Sequence, residues 1–252
     1  MYKKEVLLTS GCSFTDNWWT EKHNIPVWPE LFAKRVDMQC INLGKRGMGN
    51  DYILNSIIDK LATKKDKIGL VVVMWSDFTR IDFEIEEGAD IYGGLPWIAV
   101  SNSSSSDVSS SNIREILTSL DLNGTIIYRK PFRIKELVKK SLRTFYIFQE
   151  LMESMKLPYM QLVGTRCLSF SYHRDAAKAL INSPYLNKIN KKNFLGWPIF
   201  NEIGGWCIDD YLDKMDSVRF GEKDYHPNKD GHEEIVKLLI DPPPRWPSRW
   251  RS

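Results

Sequence analysis

One serine and one Asp-x-His sequence, at opposite ends of this 252-residue chain, are the residues best suited to chemistry. Ser13 follows a short apolar run that breaks at Gly-Cys-Ser, and Asp224 lies two residues before His226. A serine nucleophile needs a base to take its proton, and a histidine base needs a carboxylate to hold its tautomer. The pairing of these residues predicts an enzyme that uses nucleophilic catalysis.

Each of these residues also has a purely structural interpretation. A serine after a strand is commonly a helix N-cap, which is the simpler interpretation of Ser13 alone. The choice of base is narrow because the chain has only four histidines. His23 and His173 lie in polar stretches typical of exposed residues, and His232 falls in the first turn of a predicted helix, where it could pack or cap. His226 lies in the predicted loop before that helix.

Two further loops follow predicted strands, where ligands bind in doubly wound sheets. Residues 42–51 hold three glycines in six positions, which lets backbone N–H groups approach a substrate, and Asn50 could add a side-chain donor. The loop after Trp75 holds Ser76 and Arg80. Taken alone, the glycine loop is a tight turn and Arg80 a salt-bridged surface residue. The glycines match neither the P-loop nor the dinucleotide fingerprint.

The pattern of apolar residues predicts a single α/β domain over residues 1–240. Residues 68–75 form an unbroken apolar run, typical of a parallel strand buried on both faces. Strands and helices alternate along the chain, as they do in α/β proteins. The predicted strands are 5–9, 40–43, 68–75 and 157–164; the predicted helical segments are 28–36, 50–61, 134–155, part of 172–186 and 230–240, with a further short element at 208–212.

Two segments depart from this alternation. Residues 81–130 mix acidic and aromatic residues without a clean period and include a Ser-rich stretch at 101–112, so we expect an insertion with a mobile surface loop. The insertion could form a lid or a wall of the substrate site. Residues 241–252 are rich in Pro, Arg and Trp and are predicted to be extended. Arg and Trp together can bind single-stranded nucleic acid, but a solubilising tail is the preferred interpretation.

Composition and charge are those of an ordinary soluble protein, with 42% hydrophobic and 27% charged residues. The net charge of +3 gives no strong reason to invoke nucleic acid. No run of about eighteen apolar residues exists to span a membrane. The apolar stretch near the N-terminus is too short for a signal peptide. Four widely spaced cysteines show no metal-ligand rhythm and favour reduced thiols in a cytoplasmic protein.

Taken together, residues 4–80 and 134–240 resemble the SGNH/GDSL hydrolase superfamily. The Gly-Cys-Ser-Phe-Thr sequence at Ser13 is similar to its first block, and Asn-x-Gly-x-x-Gly ending at Gly47 is similar to its second. Asp-Tyr-His-Pro-Asn followed by Gly-His resembles the closing block. The resemblance implies Ser13 as nucleophile, the Gly47 N–H in the oxyanion hole, His226 as base and Asp224 as its orienting acid. It implies neither a metal nor an organic cofactor.

The third block departs from the family pattern. Members usually carry Gly-x-Asn-Asp after strand three, and the Asn side chain completes the oxyanion hole. Here the strand runs into Trp75, Ser76 and Asp77, so Ser76 could donate instead, or Asn50 could enter from the neighbouring loop. Loss of one oxyanion donor typically costs about 2.7–4 kcal/mol of transition-state stabilisation. Trp-Ser-x-x-x-Arg, ending at Arg80, also resembles a variant of this block in divergent, often phage-encoded members.

The spacing of the acid departs as well. Most members place it three residues before the histidine, where this chain has Lys223, whereas Asp224 lies two before. Glu222 is a fallback, and without either carboxylate the site would be a Ser-His dyad.

The resemblance implies a flavodoxin-like, three-layer α/β/α fold with a parallel sheet of about five strands. The expected activity is hydrolysis of an ester, an O-acyl group on a carbohydrate or other small molecule, through an acyl-enzyme on Ser13. Two alternatives remain. One is a binding or structural protein on the same scaffold with a decayed oxyanion hole. The other is acyl transfer from the same site to an acceptor other than water.

Overall fold

The computed structural model describes most of the predicted domain. Most of the 81–130 insertion, the Ser-rich stretch beyond Ser101 and the tail from residue 242 onward lie outside the described residues. For the strand at 97–101, the only side chain described is that of Trp97. The described residues are 5–63, 67–84, 97–101, 134–168, 172–222 and 224–241.

A parallel five-stranded sheet forms the centre of the molecule, and its strands lie in the spatial order Gln39–Asn42, Val6–Gly11, Ile68–Trp75, Tyr159–Val163 and Phe194–Leu195. If the five strands of this sheet are numbered along the chain, their spatial order is 2-1-3-4-5, as in flavodoxin-like folds. The predicted α/β class and parallel sheet of about five strands are therefore confirmed. In the described part of the chain the strands are β1 (Val6–Gly11), β2 (Gln39–Asn42), β3 (Ile68–Trp75), β4 (Arg80–Glu84), β5 (Trp97–Ser101), β6 (Tyr159–Val163), β7 (Phe194–Leu195), β8 (Arg219–Gly221) and β9 (Asp224–Pro227).

Helices cover both faces of this sheet, because successive side chains of a strand point to opposite sides. On β3, Val71 and Val73 belong to a core shared with three helices, whereas Val72 and Met74 belong to a second core with three others on the opposite face. The result is the expected three-layer arrangement. The described α-helices are α1 (Trp18–His23), α2 (Trp28–Arg35), α3 (Asn50–Ala62), α4 (Ile134–Ser154), α5 (His173–Ile181), α6 (Ile208–Leu212) and α7 (Lys229–Ile240).

The longest of these helices, α4, has 21 residues and one apolar face. Its buried residues recur at helical spacing, and charged residues cover the opposite side. Among the helices that the structure describes, none combines the length and the apolar character needed to cross a bilayer.

Some elements differ from the sequence predictions. Part of the supposedly irregular insertion is regular, since β4 and β5 pair as an antiparallel hairpin. His226 lies not in a loop but in β9, which pairs with β8 as a short antiparallel ribbon. Neither α1 nor β7 was predicted from the apolar pattern. These elements have six and two residues, too few for an apolar period to stand out.

Candidate active site

Ser13 lies in a tight turn directly after β1. The backbone N–H groups of Thr15 and Asp16 both donate to the carbonyl of Cys12, which closes the turn. The next helix, α1, starts only at Trp18, so Ser13 is not an N-cap. Its side chain is half-buried, and its hydroxyl has no hydrogen-bond partner among the described residues. The turn therefore presents Ser13 at the carboxyl edge of the sheet with an uncommitted hydroxyl.

His226 and Asp224 form a hydrogen-bonded pair on β9. Nδ1 of His226 lies 2.6 Å from Oδ1 of Asp224, and the backbone N–H of His226 donates to the same oxygen at 3.1 Å. Burial raises the pKa of Asp224, but the hydrogen bonds from His226 outweigh it and lower this pKa below its usual value. A carboxylate on Nδ1 holds the proton there and leaves Nε2 with its lone pair. Asp224, not the fallback Glu222, is thus the partner of the histidine.

Aromatic side chains bring β9 to the turn that holds Ser13. The ring of Phe14 meets the ring of His226 edge-on, with centroids 5.7 Å apart, and the indole of Trp19 lies 4.8 Å from the same imidazole. The indole N–H of Trp19 donates to the carbonyl of Ser13 at 2.7 Å. The structure contains no hydrogen bond between Ser13 and His226. In free enzymes such bonds are often long and tighten only when substrate binds.

The glycine loop is attached to the same edge of the sheet. Lys45 donates its N–H to the carbonyl of Gly11 at 2.9 Å, and Arg46 donates its N–H to Oδ2 of Asp16 at 2.8 Å. Gly47 has a positive φ of 82°, a conformation that favours glycine. It is exposed, and its N–H has no acceptor within the described part of the chain. Gly47 can therefore offer this donor to a ligand.

Asn50 and Ser76 are buried and are hydrogen-bonded to each other. The N–H of Ser76 donates to Oδ1 of Asn50 at 2.7 Å, and Nδ2 of Asn50 donates more weakly to the Ser76 carbonyl at 3.3 Å. Arg80 donates to Oγ of Ser76 at 2.9 Å and to the carbonyl of Met48 at 2.8 Å. Arg80 is thus half-buried and, within the described part of the chain, makes hydrogen bonds rather than the salt bridge of the structural interpretation. These bonds join the end of β3 to the start of α3.

Two buried acids that the sequence did not single out organise these loops. The carboxylate of Asp16 accepts the N–H groups of Trp18 and Arg46, at 3.0 and 2.8 Å. The bond from the Trp18 N–H to a carboxylate two residues earlier is an Asx turn, which is a local pattern. Asp82, on β4, accepts the N–H groups of Gly49, Asp51 and Tyr52 at the start of α3. No local signal predicts this contact, because Asp82 reaches α3 only through the tertiary fold.

The other three histidines differ in burial and in hydrogen-bond partners. His23 is exposed, as expected. His173 was predicted to be exposed but is buried, and its Nε2 lies 2.8 Å from the carbonyl of Leu168. His232 is fully buried beneath the site, and its Nδ1 accepts the N–H of Trp28 at 3.3 Å. Burial lowers the pKa of His232 to about 3, with a smaller contribution from His226.

A network of arginines and aspartates holds the ribbon that carries His226. Arg219, on β8, lies 2.9 Å from a carboxylate oxygen of Asp209 and 2.6 Å from one of Asp213, and it also donates to the carbonyl of Tyr225. The guanidinium of Arg166 contacts the other carboxylate oxygen of Asp213. Tyr225 lies between the two members of the Asp-His pair. Arg219 therefore fixes the backbone on which that pair is built.

Fold and site together define a doubly wound α/β protein with a serine after its first strand and an Asp-His pair on its last. No protein-family model matches the sequence, and no curated protein sequence matches it. Solved structures similar to it include AlinE4, an SGNH-hydrolase family esterase, with 15% identity, a TM-score of 0.47 and coverage of 95% of this chain and 94% of that one. Another is the esterase EstA from Pseudoalteromonas sp., with 11% identity, a TM-score of 0.47 and coverage of 94% of this chain and 95% of that one. A third is a lipolytic G-D-S-L family protein from Veillonella parvula, with 13% identity, a TM-score of 0.43 and coverage of 94% of this chain and 98% of that one.

Proposed function

We propose that this protein is a serine hydrolase of the SGNH type, which cleaves an ester through an acyl-enzyme on Ser13. One observation carries the proposal: the imidazole of His226, bound to Asp224 at 2.6 Å, packs against the two aromatic residues that flank and bind the Ser13 turn. The Ser13 hydroxyl and the Gly47 N–H, neither of which has a hydrogen-bond partner among the described residues, supply the other groups that acyl transfer needs.

The proposed reaction begins with proton transfer from the Ser13 hydroxyl to Nε2 of His226. The serine oxygen attacks the ester carbonyl, and the N–H groups of Ser13 and Gly47 hold the resulting oxyanion. The C–O bond to the alcohol breaks, and His226 returns the proton to the departing oxygen. Water then attacks the acyl-enzyme with His226 again as base, which releases the acid and restores Ser13.

Asn50 or Ser76 is the proposed third oxyanion donor, in place of the asparagine of the family's third block. Nδ2 of Asn50 is the better candidate, because its present bonds, at 3.3 Å to Ser76 and 3.4 Å to Ser141, are long. The Ser76 hydroxyl accepts from Arg80 and retains its own proton to donate. Arg80 thereby holds the end of β3 at the site. The proposed substrate is an O-acyl ester of a carbohydrate or other small molecule.

The decisive experiment combines turnover of p-nitrophenyl acetate with labelling by a fluorophosphonate, which reacts with activated serines. We expect stoichiometric labelling of the protein and loss of both labelling and turnover in Ser13→Ala. Ser154→Ala is the matched control, since Ser154 ends α4 and its hydroxyl, among the described residues, bonds only to the carbonyl of Leu151 in its own helix. Turnover that persists in Ser13→Ala would refute the assignment.

A binding or structural protein on the same scaffold is the second candidate. It is favoured by the burial of Asn50 and Ser76 and by the lack of a hydrogen bond between Ser13 and His226. A decayed oxyanion hole would leave the fold intact while acyl transfer became slow. Absence of fluorophosphonate labelling in the folded protein would favour this candidate over the hydrolase.

A further inference from the structure

Two cationic side chains at the rim of the candidate site play no part in the proposed acyl chemistry. Nζ of Lys22 lies 4.4 Å from the centre of the Trp18 ring, and the guanidinium carbon of Arg46 lies 4.5 Å from the same centre. Lys22 is on α1 and Arg46 is in the glycine loop, and both are exposed. The indole of Trp18 therefore contacts two positively charged side chains from separate parts of the chain.

This pair of cations is tied to the site by short links. The carboxylate of Asp16 binds the backbone N–H of Trp18 with one oxygen and that of Arg46 with the other. The ring of Trp18 meets that of Trp19 edge-on at 4.7 Å, and Trp19 lies 4.8 Å from His226. Arg46 also directly precedes Gly47, the proposed oxyanion donor. These contacts place both cations at the rim of the candidate site.

Neither cation forms an ion pair with a carboxylate among the described residues. Within the described ranges, no carboxylate lies within ion-pair distance of Lys22 or Arg46, whereas Arg219 contacts two aspartates. The nearby carboxylate of Asp16 is occupied by backbone N–H groups. An exposed cation over an aromatic ring gains little from the contact, and two cations on one ring repel each other. An anion held beside this ring would be attracted by both charges.

We propose that Lys22 and Arg46 form an anion-binding subsite, so that the preferred ester carries a carboxylate or phosphate on its alcohol part. The planar guanidinium of Arg46 suits two-point binding of either group, and Lys22 adds a point charge. The subsite rests on the proposed function for its place in catalysis. It narrows the substrate class from esters in general to anionic esters.

Three matched phenyl acetates test the subsite. 4-Acetoxybenzoate carries a carboxylate, 4-acetoxyphenyl phosphate carries a phosphate, and 4-acetoxybenzamide is neutral. We expect Arg46→Ala and Lys22→Ala each to lower kcat/KM for an anionic ester by roughly fivefold, as for an exposed ion pair, with less than twofold change for the amide. The two anionic esters show which group the subsite prefers. Equal losses on all three esters would overturn the proposal.

A control cation and a salt series sharpen this test. Lys191 lies just before β7, at the amino end of the sheet and so opposite the site, and it is exposed. Lys191→Ala should leave the preference for anionic esters unchanged. The preference should also weaken as ionic strength rises, because salt screens exposed charges. A preference that survives high salt and both substitutions would contradict the subsite.

Binding to Ser13→Ala separates failure of the subsite from failure of the hydrolase proposal. Titration calorimetry of this variant with 4-acetoxybenzoate and 4-acetoxybenzamide needs no turnover. We expect tighter binding of the carboxylate, lost when Arg46→Ala is added. If the wild-type protein hydrolyses none of the esters while this difference remains, the subsite stands and the hydrolase assignment fails. If binding of the two compounds is equal, the subsite fails whatever the activity.

Discussion

A single oxygen atom of Asp224 accepts both the backbone N–H and the Nδ1–H of His226. The first of these bonds, from a residue two positions later, is an Asx turn, which folds the carboxylate back along its own chain. The imidazole then meets the same oxygen without further adjustment. A spacing of two residues is therefore sufficient for an acid to orient the histidine, although most members of the resembled family use three.

Replacement of this acid should impair the histidine as a base. In Asp224→Asn the amide no longer stabilises a positive imidazole and can favour the wrong tautomer. We expect kcat for p-nitrophenyl acetate to fall by roughly 10²–10⁴-fold with a folded protein. Glu222→Gln is the matched control, since it removes a nearby exposed carboxylate without touching His226. Comparable losses in the two variants would show that Asp224 has no special role.

Arg219 should position the catalytic ribbon rather than merely stabilise the fold. Arg219→Ala removes the donor to the Tyr225 carbonyl, so we expect kcat to fall about tenfold or more, with a smaller change in KM and partial rescue by Arg219→Lys. Arg166→Ala is the control, because it also strips a partner from Asp213 but does not contact Tyr225. Rates of fluorophosphonate labelling per folded molecule separate the two roles. Equal rates in both alanine variants would contradict positioning.

The sequence was most informative where a pattern is local and long. The unbroken apolar run of β3 and the helical spacing over α3 and α4 predicted their elements almost to the residue. Short motifs with known spacing led in the same way to Ser13 and His226, whose proximity no local pattern encodes. The resemblance to a family, not periodicity, joined these two residues across the chain.

Contacts between distant segments lay beyond prediction. Asp82 is one acid among several in an aperiodic stretch, and its three hydrogen bonds to α3 depend on the pairing of β4 with β5. The polar sequence around His173 predicted an exposed side chain, yet the fold buries this histidine, with its Nε2 near the carbonyl of Leu168. Asn50 remains a proposed donor to the substrate, but the sequence did not predict that its Oδ1 accepts the backbone N–H of Ser76. Such contacts depend on how the helices pack on the sheet, which cannot be predicted from the local pattern of a single sequence.

Asp82 should stabilise the start of α3 and with it the glycine loop. Its carboxylate satisfies three N–H groups that no intrahelical carbonyl can reach. We expect Asp82→Ala to lower the free energy of unfolding by about 1–3 kcal/mol in urea titrations. Glu84→Ala, which removes an exposed acid from the same strand, should change it by less than about 0.5 kcal/mol. Equal stability of the two variants would remove the capping role.

His232 should make the stability of the protein depend on pH. Its pKa is about 3 in the folded state and about 6.5 when exposed, so between these values the unfolded chain binds more protons. The contribution of His232 to the free energy of unfolding therefore has its full value above pH 6.5. It decreases as the pH falls toward 3, by at most about 1.4 kcal/mol per pH unit. His232→Gln, which keeps an acceptor for the Trp28 N–H, should lose this dependence.

The comparison of slopes isolates the histidine from the buried carboxylates. Burial raises the pKa values of Asp77, Asp82 and Asp209, and these groups therefore act in the opposite direction, binding more protons in the folded state as the pH falls. They are common to both proteins and cancel in the difference. Urea unfolding at pH 4.5, 5.5 and 7.5 should give a steeper loss of stability toward acid in the wild type than in His232→Gln. Parallel curves would mean that His232 is already able to take up a proton in the folded protein.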